Sequence, residues 1–217
     1  MAWKLVAFDW DGTLVDTTDI AYRAVRTVFA RYQLEPPHKE VFLERITSGG
    51  MLAFYHERGI PRHVTRQDLN GIWRGVFNDP EHRDRVALRD GAREALLACR
   101  NTGAYTSIVS GSVHDIIVAG LANLGVSDFI DHIEAEACGK VEELQRIIYR
   151  FSVDPCDVVY VDDTFEGLSA AKAVGAIAIG ITGGFTPRAR LLEANPDHVI
   201  SSLHELLPFF GTNGARR

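Results

Sequence analysis

The chain has 217 residues, 46% of them hydrophobic, and a formal net charge of −6. That length buries a core large enough for one main domain carrying a smaller one, and the lack of a clustered Lys/Arg excess excludes nucleic acid as the main partner, because phosphate neutralisation needs one. The three cysteines, Cys99, Cys138 and Cys156, are scattered without a Cys-x-x-Cys pair, which excludes a disulfide framework and a structural zinc site. No apolar run approaches the ~18 residues of a membrane span. Met1-Ala2-Trp3-Lys4 leads into a strand pattern rather than a signal peptide, so a cytoplasmic protein with no membrane partner is expected.

Leu5-Val6-Ala7-Phe8 reads as a buried strand, and Asp9-Trp10-Asp11-Gly12-Thr13 follows it directly. Alternate residues of an extended chain share a face, so Asp9 and Asp11 project into the same space, and Gly12 permits a tight turn beneath them. From Asp16 to about Arg85 no strand pattern occurs. That stretch holds amphipathic segments at Ile20–Tyr32, Glu40–Thr47, Met51–Arg58 and Gln67–Asn78, the last behind a Thr65-x-x-Asp68 capping box. A helical insertion at this point would sit over the carboxyl ends of the sheet, where open α/β folds bind ligands, and could act as a lid. The rest of the chain alternates: helix Ala92–Arg100, strand Ser107–Val109, helices Val113–Leu124 and Val141–Phe151, strand Val158–Val161, helix Gly167–Val174, strand Ala176–Ile181. This predicts an α/β fold with a parallel sheet. Expected boundaries are a core of residues 1–16 and 86–217, a helical cap of residues 17–85, and a frayed tail over residues 211–217.

Each strand pattern ends in a chemically capable residue: Asp9 after Phe8, Ser110 after Val109, and Asp162-Asp163 after Val161. In a parallel sheet these ends converge on one rim. Hard oxygen donors from Asp9, Asp162 and Asp163 suit Mg²⁺, and no histidine cluster competes for a softer metal. Ser110 offers a hydroxyl donor, and Lys140 offers a cation at the start of a helix. Taken singly these residues have plainer readings. An aspartate pair can shape a turn, Ser110-Gly111-Ser112 can be a strand-to-helix turn, and Lys140 can be a solvated surface lysine. Ser48-Gly49-Gly50 is either a cap loop reaching the site or a turn between helices. The cap cations Arg45, His56, Arg62 and Arg74 are candidates for a second anionic group of a substrate, or surface charges.

In order and position, Asp9-x-Asp11-Gly12-Thr13, Ser110, Lys140 and Asp162-Asp163-Thr164 resemble the four motifs of the haloacid dehalogenase-like hydrolase superfamily. The resemblance is to its phosphoglycolate phosphatase and β-phosphoglucomutase branch, with a helical cap. It implies a Rossmann-like core, Mg²⁺, and attack on phosphorus by Asp9 to form an aspartyl-phosphate, with Asp11 protonating the leaving alcohol and then activating water. It further implies that Asp9, Asp163 and the Asp11 carbonyl hold Mg²⁺ with Asp162 as direct or outer support. Ser110, Gly111 and Lys140, with turn amides around Gly12 and Thr13, would bind the phosphoryl oxygens, and Ser48, Gly49 and Gly50 would contact substrate from the cap. The implied partner is a small phosphorylated metabolite, and the chain is expected as a monomer or homodimer. Two departures stand out: Val141 follows Lys140 where many relatives have proline, and Gly167 stands where some phosphatases place another aspartate. A phosphomutase is the nearest rival, but its cap histidine and arginine align here with Ala21 and Leu52. A phosphonate hydrolase calls for a cap lysine, and only Lys39 is available. A non-catalytic phospho-ligand-binding regulator is a further alternative on the same fold.

Overall fold

The computed structural model describes residues 3–45, 51–83 and 85–210; Ser48, Gly49, Gly50 and the 211–217 tail lie outside them. Strand β1 (Leu5–Phe8) lies at the centre, and none of its side chains is exposed to solvent. Such a strand must be covered on both faces, which is why its sequence is continuously apolar rather than alternating. A two-residue strand, β2 (Val15–Asp16), then leads to five successive helices: α1 (Thr18–Arg31), α2 (Lys39–Arg45), α3 (Met51–Glu57), α4 (Arg66–Phe77) and α5 (Pro80–Arg83). The chain returns through β3 (Ala87–Leu88), which pairs antiparallel with β2 in the register Val15↔Leu88 and Asp16↔Ala87. From there it alternates as α6 (Ala92–Thr102), β4 (Tyr105–Val109), α7 (His114–Leu124), β5 (His132–Glu134), α8 (Val141–Phe151), β6 (Val158–Asp162), α9 (Phe165–Ala173), β7 (Ile177–Ile181), α10 (Arg188–Glu193), β8 (His198–Ile200) and α11 (Leu207–Phe210).

The sheet order is β5-β4-β1-β6-β7-β8, with every neighbouring pair parallel. This is the order of the Rossmann fold, and its chain reversal falls at β1, where ligands bind outside the carboxyl ends of the strands. The expected α/β class is therefore observed. Strand alternation divides the core. Val6 and Phe8 pack on one face with residues of α6 and α7, while Leu5 and Ala7 pack on the other with residues of α8 and α9. A third apolar cluster, with Ile20, Phe29, Phe42, Phe54, Tyr55 and Leu69 at its centre, joins α1 to α4 of the insertion and reaches Val113 and Ile116 at the start of α7. The Thr65–Asp68 capping box forms at the start of α4, with Thr65 Oγ1 accepting from the Asp68 N–H at 3.2 Å and Asp68 Oδ2 accepting from the Thr65 N–H at 2.8 Å. All three cysteines are free. Among the described residues no helix is long and apolar enough to cross a membrane.

Candidate active site

The carboxyl ends of β1, β4 and β6 place the expected residues on one rim. The Asp9 N–H donates to Val161 O at 2.9 Å, and the Ser110 N–H to Glu134 O at 2.9 Å, so the sheet ladder continues into both residues. Asp9, Ser110, Lys140, Asp162 and Asp163 are all buried. Carboxylate oxygens of Asp9, Asp162 and Asp163 lie within 4.8 Å of one another. Trp10 points the opposite way into the core, where Gly120 of α7 makes room: a Cβ there would stand 2.5 Å from the indole ring. That opposition is the period-two alternation that aims Asp9 and Asp11 at the rim.

Lys140 caps the N-terminus of α8 in the left-handed conformation (φ 65°), immediately after Gly139 at φ 89°. A side chain held there costs on the order of 1–2 kcal/mol, and the geometry delivers its ammonium to the site. Nζ lies 2.6 Å from Asp162 Oδ2 and 3.1 Å from Asp9 Oδ1, and 5.6 Å above the Tyr160 ring. Val141 is the first residue inside this helix, a position for which proline is well suited but not required.

The electrostatics follow from burial. Desolvation lifts the Asp9 carboxyl to about 7, with Lys140 opposing and Asp162 adding to the rise. Asp163 is pushed well above the usual carboxylate range by burial and by its neighbours Asp162 and Asp9. Burial also raises Asp11, against hydrogen bonds from Thr17 and Ser112; the Thr17 hydroxyl donates to Asp11 Oδ1 at 2.7 Å. Burial disfavours the Lys140 ammonium, but Asp162 and Asp9 outweigh it and hold the group charged. Asp9 Oδ1 is buried and accepts no hydrogen bond, although it faces Lys140 as an ion pair. Three buried carboxylates facing a single ammonium leave negative charge uncompensated, which is a demand for further positive charge.

Several expected details change. The amides of Gly12 and Thr13 do not face outward toward a phosphoryl group: Gly12 N–H donates to Val15 O at 2.8 Å and Thr13 N–H to Trp10 O at 3.4 Å, because the turn satisfies its own backbone. These residues support Asp163 instead. The Thr13 hydroxyl donates to Asp163 Oδ1 at 3.0 Å, and a Cβ on Gly12, itself at φ 78°, would fall 2.4 Å from Asp163 Oδ2. Asp162 is more fully engaged than its neighbours. Its Oδ1 accepts from both the amide and the hydroxyl of Thr164 at 2.7 Å, while Oδ2 pairs with Lys140. Gly167 also acquires a reason, since a Cβ there would stand 1.9 Å from Asp162 Oδ2, leaving no space for a further aspartate. Ser110 Oγ accepts from the Ser112 N–H at 3.2 Å beside the exposed Gly111.

Of the cap cations considered, Arg74 pairs with Asp115 in the first turn of α7 at 3.6 Å, and His56 meets Val64 O within the insertion at 3.0 Å. The Arg45 side chain lies outside the described residues. Further contacts that cross from the insertion to the core come from residues not singled out in the sequence. Arg66 Nη2 donates to Ala137 O at 3.1 Å, Asn70 Nδ2 to Glu136 Oε1 at 2.9 Å, and the Phe42 ring meets Phe185 edge-on at 6.0 Å. Arg66 and Asn70 stand four apart behind the capping box, a spacing that places them on one helix face and was the available signal. Lys39 is paired with Asp19.

Comparison with known proteins agrees with this geometry. The chain is 24% identical over 221 residues to the phosphoglycolate phosphatase of Haemophilus influenzae, covering 94% of this chain and 97% of the relative. It is 22% identical over 214 residues to the pyrophosphatase PpaX of Bacillus pumilus, covering 96% of each. The crystal structure of CbbY from Rhodobacter sphaeroides in complex with phosphate superposes with a TM-score of 0.78 at 22% identity, over 94% of this chain and 96% of that one. Residues 3–175 match the haloacid dehalogenase-like hydrolase family, and the chain belongs to that family of enzymes.

Proposed function

We propose that this enzyme is a Mg²⁺-dependent phosphatase that removes phosphate from a small organic monoester through an aspartyl-phosphate on Asp9, with residues 17–85 serving as a cap. One observation carries the reading: three buried carboxylates within 4.8 Å of one another are faced by a single buried lysine. The donor set is all hard oxygen, and three carboxylates against one ammonium leave negative charge uncompensated, so the residues fit a small divalent cation. Asp9, Asp163 and the Asp11 carbonyl would hold it, with Asp162 steadying Lys140 and Thr164 beside it. When bound, Mg²⁺ neutralises charge on the carboxylates and on the transferred phosphoryl group.

The residues divide the reaction as follows. An Asp9 carboxylate oxygen attacks phosphorus while the bond from phosphorus to the ester oxygen breaks, and Asp11 gives its proton to the departing alcohol. Burial keeps Asp11 protonated longer than an exposed carboxyl, as this step requires. Asp11 then accepts a proton from water, whose oxygen attacks phosphorus and releases inorganic phosphate, restoring Asp9. Lys140 and Ser110 orient the phosphoryl oxygens. The relatives named phosphoglycolate phosphatase and pyrophosphatase favour a small phosphate compound as substrate.

Purified protein should release phosphate from a generic aryl phosphate with Mg²⁺, lose this in excess chelator, and lose it again as Asp9→Asn with the fold intact. Retained turnover in Asp9→Asn sinks the nucleophile assignment. A panel of phosphorylated metabolites ranked by kcat/KM identifies the substrate, and isomer formation without free phosphate would mark a mutase instead.

A further inference from the structure

Arg89 stands directly after β3, where the chain re-enters the core, and its N–H donates to Leu14 O at 2.9 Å. Its partly buried guanidinium meets no carboxylate among the described residues. It forks to two backbone carbonyls instead: Nη1 donates to Gly12 O, and Nη2 to Thr182 O at 2.5 Å. These carbonyls belong to loops far apart in the chain, one following β1 and the other following β7.

Both loops wall the same carboxylate. Cβ atoms at Gly12 and Gly184 would lie 2.4 and 2.1 Å from Asp163 Oδ2, and the Phe185 N–H donates to that oxygen at 2.6 Å. Neither loop is otherwise tied to the other by a regular ladder; a planar fork with fixed donor directions is suited to bind both at once, as a lysine is not.

We propose that Arg89 is a positioning residue: it staples the Gly12 turn to the 182–185 loop and so fixes Asp163 for a divalent cation. The inference rests on the reading of Asp163 as a metal-holding residue. Arg93 provides an internal control, because its guanidinium makes the same kind of fork, to Gly125 O at 3.1 Å and Leu124 O at 2.5 Å, at the far end of α7.

Mg²⁺ binding to the metal-free protein, followed by calorimetry, tests the proposal on wild type, Arg89→Met, Arg89→Lys and Arg93→Met. Residues that orient metal ligands typically change metal affinity by roughly 10–100-fold. Arg89→Met should weaken Mg²⁺ by that amount, Arg89→Lys by less, and Arg93→Met should stay within about two-fold of wild type. At saturating Mg²⁺ the KM for an aryl phosphate should be little changed in Arg89→Met. Wild-type affinity in a folded Arg89→Met, or an equal loss in Arg93→Met, overturns the proposal. Should Arg89→Met fail to fold, Arg89→Lys decides: intermediate affinity supports the staple and wild-type affinity refutes it. A wild type that binds no Mg²⁺ refutes the metal reading beneath it.

Discussion

Replacing Asp9 with Asn should make the metal-free protein more stable in mildly alkaline solution while removing its turnover. The Asp9 carboxyl is lifted from 3.8 to about 7, chiefly by burial. A carboxyl held above its unfolded value stabilises the fold fully below about pH 3.8, and that contribution drains away as pH climbs through about 7. Over the whole interval the loss is about 4 kcal/mol, and Asp9 is only 4% exposed, so water screens little of it. Asparagine keeps the shape and cannot ionise, so it escapes the loss. Between pH 5 and pH 8 the variant should gain roughly 2–3 kcal/mol on wild type, which for a chain of this size is on the order of 5–10 °C in Tm. Thermal unfolding in excess chelator at both pH values reads this directly. Added Mg²⁺ should narrow the gap by stabilising wild type alone. A difference between the two proteins that does not grow from pH 5 to pH 8 would refute the argument that burial, rather than the local turn, sets the state of Asp9.

Asp11→Asn should cost about 10²–10⁴-fold in kcat on an alkyl phosphate, and much less on a nitrophenyl phosphate, whose leaving group needs no proton; equal losses on both would remove the acid role. Thr65→Ala should break the capping box of α4 and cost about 1 kcal/mol, lowering Tm by about 2–4 °C with Mg²⁺ affinity unchanged; an unaltered Tm would show that the insertion is not held by that helix start.

The interior of the fold was readable because its chemistry is local. β1, β6 and β7 are mainly apolar runs that need cover on both faces, β4 ends in the apolar pair Ile108-Val109, and α8 spans Val141–Phe151 as its apolar spacing predicts. The short strands were not readable. β5 (His132–Glu134) and β8 (His198–Ile200) lie at the sheet edges, where three residues suffice and polar side chains such as His132, Glu134 and His198 interrupt the apolar pattern, and β2 and β3 contribute two residues each. In the site, the acids announced themselves by standing at strand ends. The inward use of the Gly12 and Thr13 amides did not, because it depends on how the turn closes its own hydrogen bonds. Arg89 was equally silent, since its partners are backbone carbonyls that leave no mark on side-chain identity. Thr164 had a local signal, standing three residues before Gly167, whose N–H its hydroxyl accepts at 3.1 Å.

The antiparallel pairing of β2 with β3 sets the chain's exit and re-entry side by side on adjacent rungs. Cα atoms paired in this way stand only about 5 Å apart, so the remainder of the sheet experiences the whole intervening stretch as though it were a hairpin loop. Loop closure grows dearer only slowly with length, and the doorway is therefore nearly indifferent to how many residues pass through it. Such a joint lets the inserted segment be lengthened, shortened or exchanged as a cassette, while the strands that carry the acids keep their register. With the insertion as the proposed cap, selectivity and chemistry can then diversify on separate evolutionary clocks.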